Sequence, residues 1–307
     1  IAAAQASPAG TVHVIRVEDA ITPVIAEYVI KSIAEAEKGS ASCLVVEMDT
    51  PGGLDLAMRN IIKHIMASEI PVVVYVSPSG ARAASAGAII TLASHVAAMA
   101  PGTNIGAAHP VSLGGGDMGR EMAEKVENDA AAYVESIAVK RGRNKEWAVK
   151  AVRESVSIGE NEALKLKVID LVTPDITSLL GAIDGREVEV ASGKKRLETK
   201  GAVIQYKKMG FRENVLQTLA NPNIAYILLL IGLAGLYFEL SNPGAIFPGV
   251  IGGISLILAF YSLQSLSANY AGVLLILLGA VLFILEIKVV SYGLLSIGGI
   301  IAVTLGS

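Results

Sequence analysis

CLVVEMDTPGG, residues 43–53, is an apolar run, broken only by Glu47, that ends abruptly in a turn built from proline and two glycines. A strand that is apolar at nearly every position, not at alternate ones, is buried on both faces, as strands of a parallel sheet are. Working outward, TVHVIRV (11–17) and PVVVYV (71–76) read as strands of the same kind, and HVAAMA (95–100) as another. Between them, TPVIAEYVIKSIAEAE (22–37), LDLAMRNIIKHIMAS (54–68) and a stretch from about Ser85 to Ser94 carry helical periodicity, and a longer helix covers about 118–141. Strands alternating with helical crossovers predict an α/β layer fold with a mostly parallel sheet.

The chain has 307 residues, of which 52% are hydrophobic, and its mean hydropathy is +0.56. That is too apolar for an ordinary soluble protein. The excess is local: after residue 221 the only charged side chains are Glu239, Glu286 and Lys288. Four apolar segments, about 224–240, 246–263, 271–287 and 290–306, therefore read as membrane helices following a soluble domain. LYFEL…VIGGISLI recurs as LFILEI…SIGGIIAV, so these segments form two related helical hairpins, with small residues placed for close packing. A glutamate in each repeat is costly in lipid and must face protein or water, either in a paired structural role or in a proton or substrate role.

The N-terminal stretch contains Ala4-Gln5-Ala6, an A-x-A pattern like that of a signal-peptidase site, so residues 1–6 read as the tail of a signal peptide and AVTLGS as the end of a truncated membrane domain. Residues 7–176 form the expected soluble domain, 177–221 an extended β-rich linker and 222–307 the membrane domain. A cleaved signal places the soluble domain outside the cytoplasm, and four passes then leave Lys288 on the inner side; Lys207, Lys208 and Arg212 argue the other way. The net charge of −3 gives no reason to expect a nucleic acid. A single cysteine and four dispersed histidines provide no disulfide or metal framework, and Cys43 reads as core.

RAASAGAI, residues 82–89, sets one serine among alanines where a helix begins. Ser85 reads either as that helix's N-cap or as a nucleophile at a strand–turn–helix corner. The glycines of DTPGG have N–H groups uncovered by side chains, able to bind an oxyanion. The N–H of Ala86 adjoins Ser85, and MAPGTNIGAAHP (99–110) forms a small-residue loop able to line a cleft. Asp49 and Glu47 read as turn-ordering groups, His64 and His95 as surface or strand-end residues, and Trp147 as packing. The glycines at 114–116 suggest a flexible loop, with Asp117 as the next helix's cap.

DTPGG, ASAG at 84–87, SHVAAMAPGTNIGAAHPV at 94–111, KVENDAAAYVESIAVKRGRN at 125–144 and EALKLKVIDLV at 162–172 together resemble the ClpP/crotonase superfamily, and more closely the membrane-anchored serine proteases of the NfeD family, relatives of signal peptide peptidase A. The resemblance implies a ClpP/crotonase-like spiral of mostly parallel strands and helices, followed by an all-α membrane domain of about four helices. It also implies a Ser–Lys dyad of Ser85 and Lys125, an oxyanion hole from the N–H groups of Gly53 and Ala86, and no cofactor. A stomatin-type partner and assembly into dimers or larger oligomers follow from it too, while the small-residue, apolar cleft of ASAG and APGTNIGAA suits an extended hydrophobic peptide or membrane-protein segment as substrate.

From the residues alone, Lys125 reads as a solvated helix lysine between Glu121 and Asp129; as a base it would need desolvation and those carboxylates turned away. His109 and Asp170 look like the histidine and aspartate of the soluble ClpP peptidases and offer a rival Ser85–His109–Asp170 triad, with cleft lining and a strand end as their plain readings. A crotonase-like acyl-CoA enzyme and a non-catalytic scaffold for membrane proteins are the readings from other classes.

Overall fold

The computed structural model describes residues 10–111, 119–219, 221–242, 246–264, 270–288 and 291–306. The expected signal-peptidase site at 4–6, the glycines at 114–116 and the Asp117 cap lie outside them. In chain order the soluble part runs β1 (Thr11–Val17), α1 (Pro23–Lys38), β2 (Cys43–Met48), α2 (Asp55–Ala67), β3 (Val72–Val76), β4 (Arg82–Ala84), α3 (Ala86–Ala93), β5 (Val96–Met99), β6 (Asn104–Gly106), α4 (Arg120–Lys140), α5 (Lys145–Arg153), β7 (Ser157–Gly159), α6 (Glu160–Lys165), β8 (Leu171–Val172), α7 (Ile176–Ile183), β9 (Glu187–Val190), β10 (Gly193–Arg196), β11 (Val203–Tyr206) and α8 (Phe211–Leu219). The membrane part is α9 (Pro222–Ser241), α10 (Ile246–Gln264), α11 (Tyr270–Lys288) and α12 (Leu294–Gly306). The two parts form separate compact units, one reaching Thr218 and the other beginning at Leu219.

The central sheet has six strands in the order β11-β1-β2-β3-β5-β8, and every pairing is parallel. Side-chain alternation sorts its residues onto two faces. Ile15, Leu44, Val46, Val74 and Met99 pack against α1 to α5. Val14, Cys43, Val45, Val73 and Tyr75 pack against α7 and the antiparallel hairpin β9–β10. Both faces are covered, which is why the strands read as continuous apolar runs. Burial pushes the Cys43 thiol up to about 12, consistent with a core side chain.

Local chemistry fixes the crossovers. Thr22 caps α1 by accepting the Ile25 N–H, with Pro23 as its first helical residue. Asn144 caps α5 by accepting the Trp147 N–H, and Trp147 is buried, as its packing role requires.

One boundary differs from expectation. The segment 177–221 is not a linker. β11 adds to the main sheet beside β1 with Thr11 opposite Val203, while α7 and β9–β10 cover the second face. Without them Val45, Val73 and Tyr75 would face water, so the soluble unit needs these residues to close its core.

In the membrane unit, α9 pairs with α10 and α11 with α12, giving the two expected hairpins. Glycine permits the close approach: a Cβ on Gly252 would stand 2.9 Å from the Gly232 carbonyl oxygen, and one on Gly299 would stand 3.1 Å from that of Gly279. Asn223–Ser241 holds an apolar stretch of 19 residues with mean hydropathy 1.9, long enough to cross a bilayer. The apolar stretches of α10, α11 and α12 are shorter among the described residues. The repeated glutamates are structural. The Glu286 carboxylate accepts hydrogen bonds from Ser291 Oγ at 2.6 Å and from the N–H groups of Gly293 and Ser296, both at 3.0 Å, and so ties the end of α11 to the start of α12. The Glu239 carboxylate lies where a Cβ on Gly249 would stand, so α9 packs on α10 at a place only glycine leaves open.

Candidate active site

Ser85 stands between the three-residue strand β4 and α3, and its backbone is unusual. Its φ is +52° and ψ −116°, a conformation that costs an L-residue on the order of 1–3 kcal/mol. Its side chain makes no capping hydrogen bond to α3, so the N-cap reading does not hold. Three neighbours hold the corner in place. The Ser85 N–H donates to the Gly106 carbonyl at 2.9 Å, and β4 runs parallel to β6. On the other side Thr50 forms a bridge with Ala83, its N–H donating to Arg82 O and its carbonyl accepting from Ala84. The Asp49 carboxylate accepts the Arg82 N–H at 3.0 Å, which gives it the turn-ordering role expected of it. Glu47 instead pairs with Arg16 at 2.8 Å.

The DTPGG turn lies against Ser85. Gly52 has φ +120°, and a Cβ built there would stand 2.7 Å from Ser85 Cβ and 3.2 Å from its Oγ. Only glycine fits this backbone and this approach. Gly53 forms a parallel bridge with Ile21, in which Ile21 N–H donates to Gly52 O and Leu54 N–H to Ile21 O. That register leaves the Gly53 N–H out of the ladder. Ala86 is the first residue of α3, so its N–H has no intrahelical acceptor either. Two amide donors on backbone segments flanking a serine hydroxyl can hold an oxygen that gains negative charge.

The far end of α3 is pinned by a group that the sequence did not disclose. Buried Arg143 donates to the carbonyls of Leu92 at 2.6 Å and Ser94 at 2.8 Å, and Arg141 to that of Ala93 at 2.8 Å. Cations at a helix C-terminus complement its dipole. Arg143 also meets Asp170 at 2.7 Å, and Arg186 meets the other oxygen of Asp170 at 2.6 Å. Burial alone would raise the Asp170 carboxyl, but Arg143, the Ala97 N–H and Arg186 together outweigh it and hold it below the usual carboxylate range. The only local sign was the pair of arginines in KRGRN.

The rival triad is not assembled. Asp170 is engaged by arginines, and His109 Nδ1 bonds the Val152 carbonyl at 2.9 Å, so the two residues do not orient each other. His64 Nδ1 bonds Asn60 O at 2.8 Å. His95 is buried just before β5. Burial first, then Arg141 and Arg143, hold its imidazole neutral down to about 3.

Lys125 lies exposed on the second turn of α4. Of the two carboxylates that flank it at helical spacing, Asp129 is turned to another cation and pairs with Arg59.

Residues 11–205 match the NfeD1b N-terminal domain and residues 223–307 the NfeD integral membrane domain. The chain belongs to the NfeD1b family. It is 36% identical over 299 residues to the membrane-bound protease PH1510 of Pyrococcus horikoshii, covering 96% of this chain and 68% of that one. The chain spans about two thirds of the length of the curated relatives it matches. Among solved structures, the 1510-N stomatin-specific protease, in a lysine-to-alanine variant with a substrate peptide, superposes with a TM-score of 0.63 at 34% identity, covering 68% of this chain and 97% of the other. A serine-to-alanine variant of the same protease gives 0.62 at 35% identity, with 66% and 100% covered. This NfeD1b chain is therefore a membrane protein and a peptidase of the serine class.

Proposed function

We propose that the chain is a membrane-anchored endopeptidase with Ser85 as nucleophile, Lys125 as general base and the Gly53 and Ala86 N–H groups as oxyanion hole. The observation that carries this reading is the backbone of Ser85: a strained, uncapped serine at a strand–helix corner has no structural reason to be there. The base is supported by the two solved variants of the related protease, whose substituted serine and lysine are separated by one position more than Ser85 and Lys125.

In this scheme neutral Lys125 Nζ takes the proton from Ser85 Oγ as the oxygen bonds to the scissile carbonyl carbon. The oxyanion rests on the two amides; losing such a donor costs on the order of 10²–10³ in rate. Collapse breaks the C–N bond, and the ammonium of Lys125 protonates the leaving amine. Water, deprotonated by the same amine, then releases the acyl group and restores Ser85. To act as a base Lys125 must lose its water when substrate covers the cleft.

The small apolar residues of ASAG and APGTNIGAA suit an extended hydrophobic segment, so the substrate class is membrane-associated protein. The specificity of the related protease extends this to a stomatin-type partner. The remaining parts of the reading are a homo-oligomer and a multi-pass membrane domain with the peptidase on the extracytoplasmic side. Cleavage of casein and an apolar peptide by the full chain, compared across Ser85→Ala, Lys125→Ala and His109→Ala, tests the site. The account expects loss in the first two. Retained cleavage in Ser85→Ala ends it, and loss in His109→Ala with full activity in Lys125→Ala reassigns the base.

A further inference from the structure

α8 shows apolar side chains to solvent while polar ones tie it to the soluble unit. A surface helix ordinarily buries apolar residues and shows polar ones. Here the groups that hold α8 to the soluble unit are polar and four residues apart: Lys31 Nζ donates to Glu213 Oε1 at 2.9 Å, and Thr22 Oγ1 donates to Gln217 Oε1 at 2.9 Å. The side chains facing away include Phe211, 87% exposed, and Val215, 41% exposed, also four residues apart. No residue of α8 is buried. Lys208 and Arg212 are exposed beside this apolar stripe. The helix ends at Leu219, and α9, which opens the membrane domain, begins at Pro222.

We infer that α8 is an interfacial helix, its Phe211–Val215 stripe set into the headgroup–acyl boundary of the bilayer, with Lys208 and Arg212 among anionic lipid phosphates. The occupant is identified by continuity: a chain that enters hydrocarbon a few residues after Leu219 brings the stripe to the depth at which amphipathic helices bind. Charge agrees, since each cation close to an anionic surface favours contact by about fivefold. The polar contacts through Glu213 and Gln217 then fasten the soluble unit to a helix that lies on the lipid. This inference rests on the membrane domain and is independent of which residue is the base at Ser85.

The test uses the full chain reconstituted in vesicles of phosphatidylcholine and phosphatidylglycerol in equal parts. Phe211→Trp and Val215→Trp each report depth through quenching by lipids brominated near the headgroup end of the acyl chain. Lys150→Trp, on an exposed face of α5, is the water-facing control, and the signal of buried Trp147 is subtracted. The expected result is lipid quenching at 211 and 215, with only aqueous acrylamide quenching at 150. Lipid quenching at 211 and 215 should fall in Lys208→Glu/Arg212→Glu and in vesicles of phosphatidylcholine alone. Acrylamide quenching at 211 and 215 without lipid quenching overturns the inference. Shielding from both quenchers also overturns it, because the stripe would then be covered by protein. Lipid quenching indifferent to both charge changes overturns the headgroup assignment.

Discussion

Replacing Gly52 by alanine should disable the enzyme while leaving it folded. The added methyl would stand 2.7 Å from Ser85 Cβ and 3.2 Å from Oγ, where carbon atoms pack at about 3.5–4.0 Å. Relief requires Ser85 and the 52–53 backbone to separate by about 1 Å, and a misplacement of that size costs on the order of 10²-fold in rate, about 2.7 kcal/mol of transition-state stabilisation. The φ of +120° adds about 1–3 kcal/mol of strain to the folded state. At roughly 2–4 °C per kcal/mol for a unit of this size, the melting temperature should fall by about 2–12 °C. The assay is cleavage of an apolar peptide by the full chain in micelles, with kcat and KM separated; the loss belongs in kcat. Gly80→Ala is the control, since Gly80 has φ +90° and a Cβ there meets nothing within 4 Å. It should lose comparable stability and keep its activity. Parental kcat in Gly52→Ala would refute the placement of the turn against the reacting hydroxyl.

Three further outcomes follow from the same geometry. Ser85→Gly should be more stable than Ser85→Ala by about 1 kcal/mol, because glycine accepts a φ of +52° without strain, and both should be inactive; equal melting temperatures would deny the strain. Asp170→Ala leaves Arg143 buried and unpaired, at a cost of about 3–5 kcal/mol. Protein that stays folded should retain peptidase activity, and a specific loss of kcat would return Asp170 to the catalytic machinery. His95 titrates near 6.5 in the unfolded chain and is held down to about 3 in the folded one, so only the unfolded state takes up the proton between those values. Stability is complete above about pH 6.5 and falls as pH drops, by about 2 kcal/mol at pH 5. Urea titrations followed through Trp147 should show this fall in the parent and a flatter profile in His95→Gln.

The strands at 43–48 and 72–76 were legible because burial on both faces leaves a nearly continuous apolar run, broken in the first only by Glu47 near its end and bounded by turn residues. The two hairpins were legible because close packing demands glycine at repeated places. The short strands β4, β6 and β7 were not. Three residues carry no periodicity, and their pairing depends on Thr50 and Gly106 arriving from elsewhere. β11 and α8 were read as linker because an edge strand and a helix with its polar side inward lack the usual pattern. At the site, cap and nucleophile share one local composition, and only the structure shows that Ser85 has positive φ and makes no capping hydrogen bond. Asp170 looked like a triad member because nothing local announces an arginine 27 positions away.

The central claim is that Ser85 Oγ carries the acyl group. An ester of an apolar peptide, mixed with the full chain, quenched in acid within the first turnover and digested for mass mapping, reads this directly. The account predicts the acyl mass on the fragment containing Ser85 and its absence in Ser85→Ala. Continued turnover with no adduct at Ser85, or an adduct on another side chain that persists in Ser85→Ala, would contradict it.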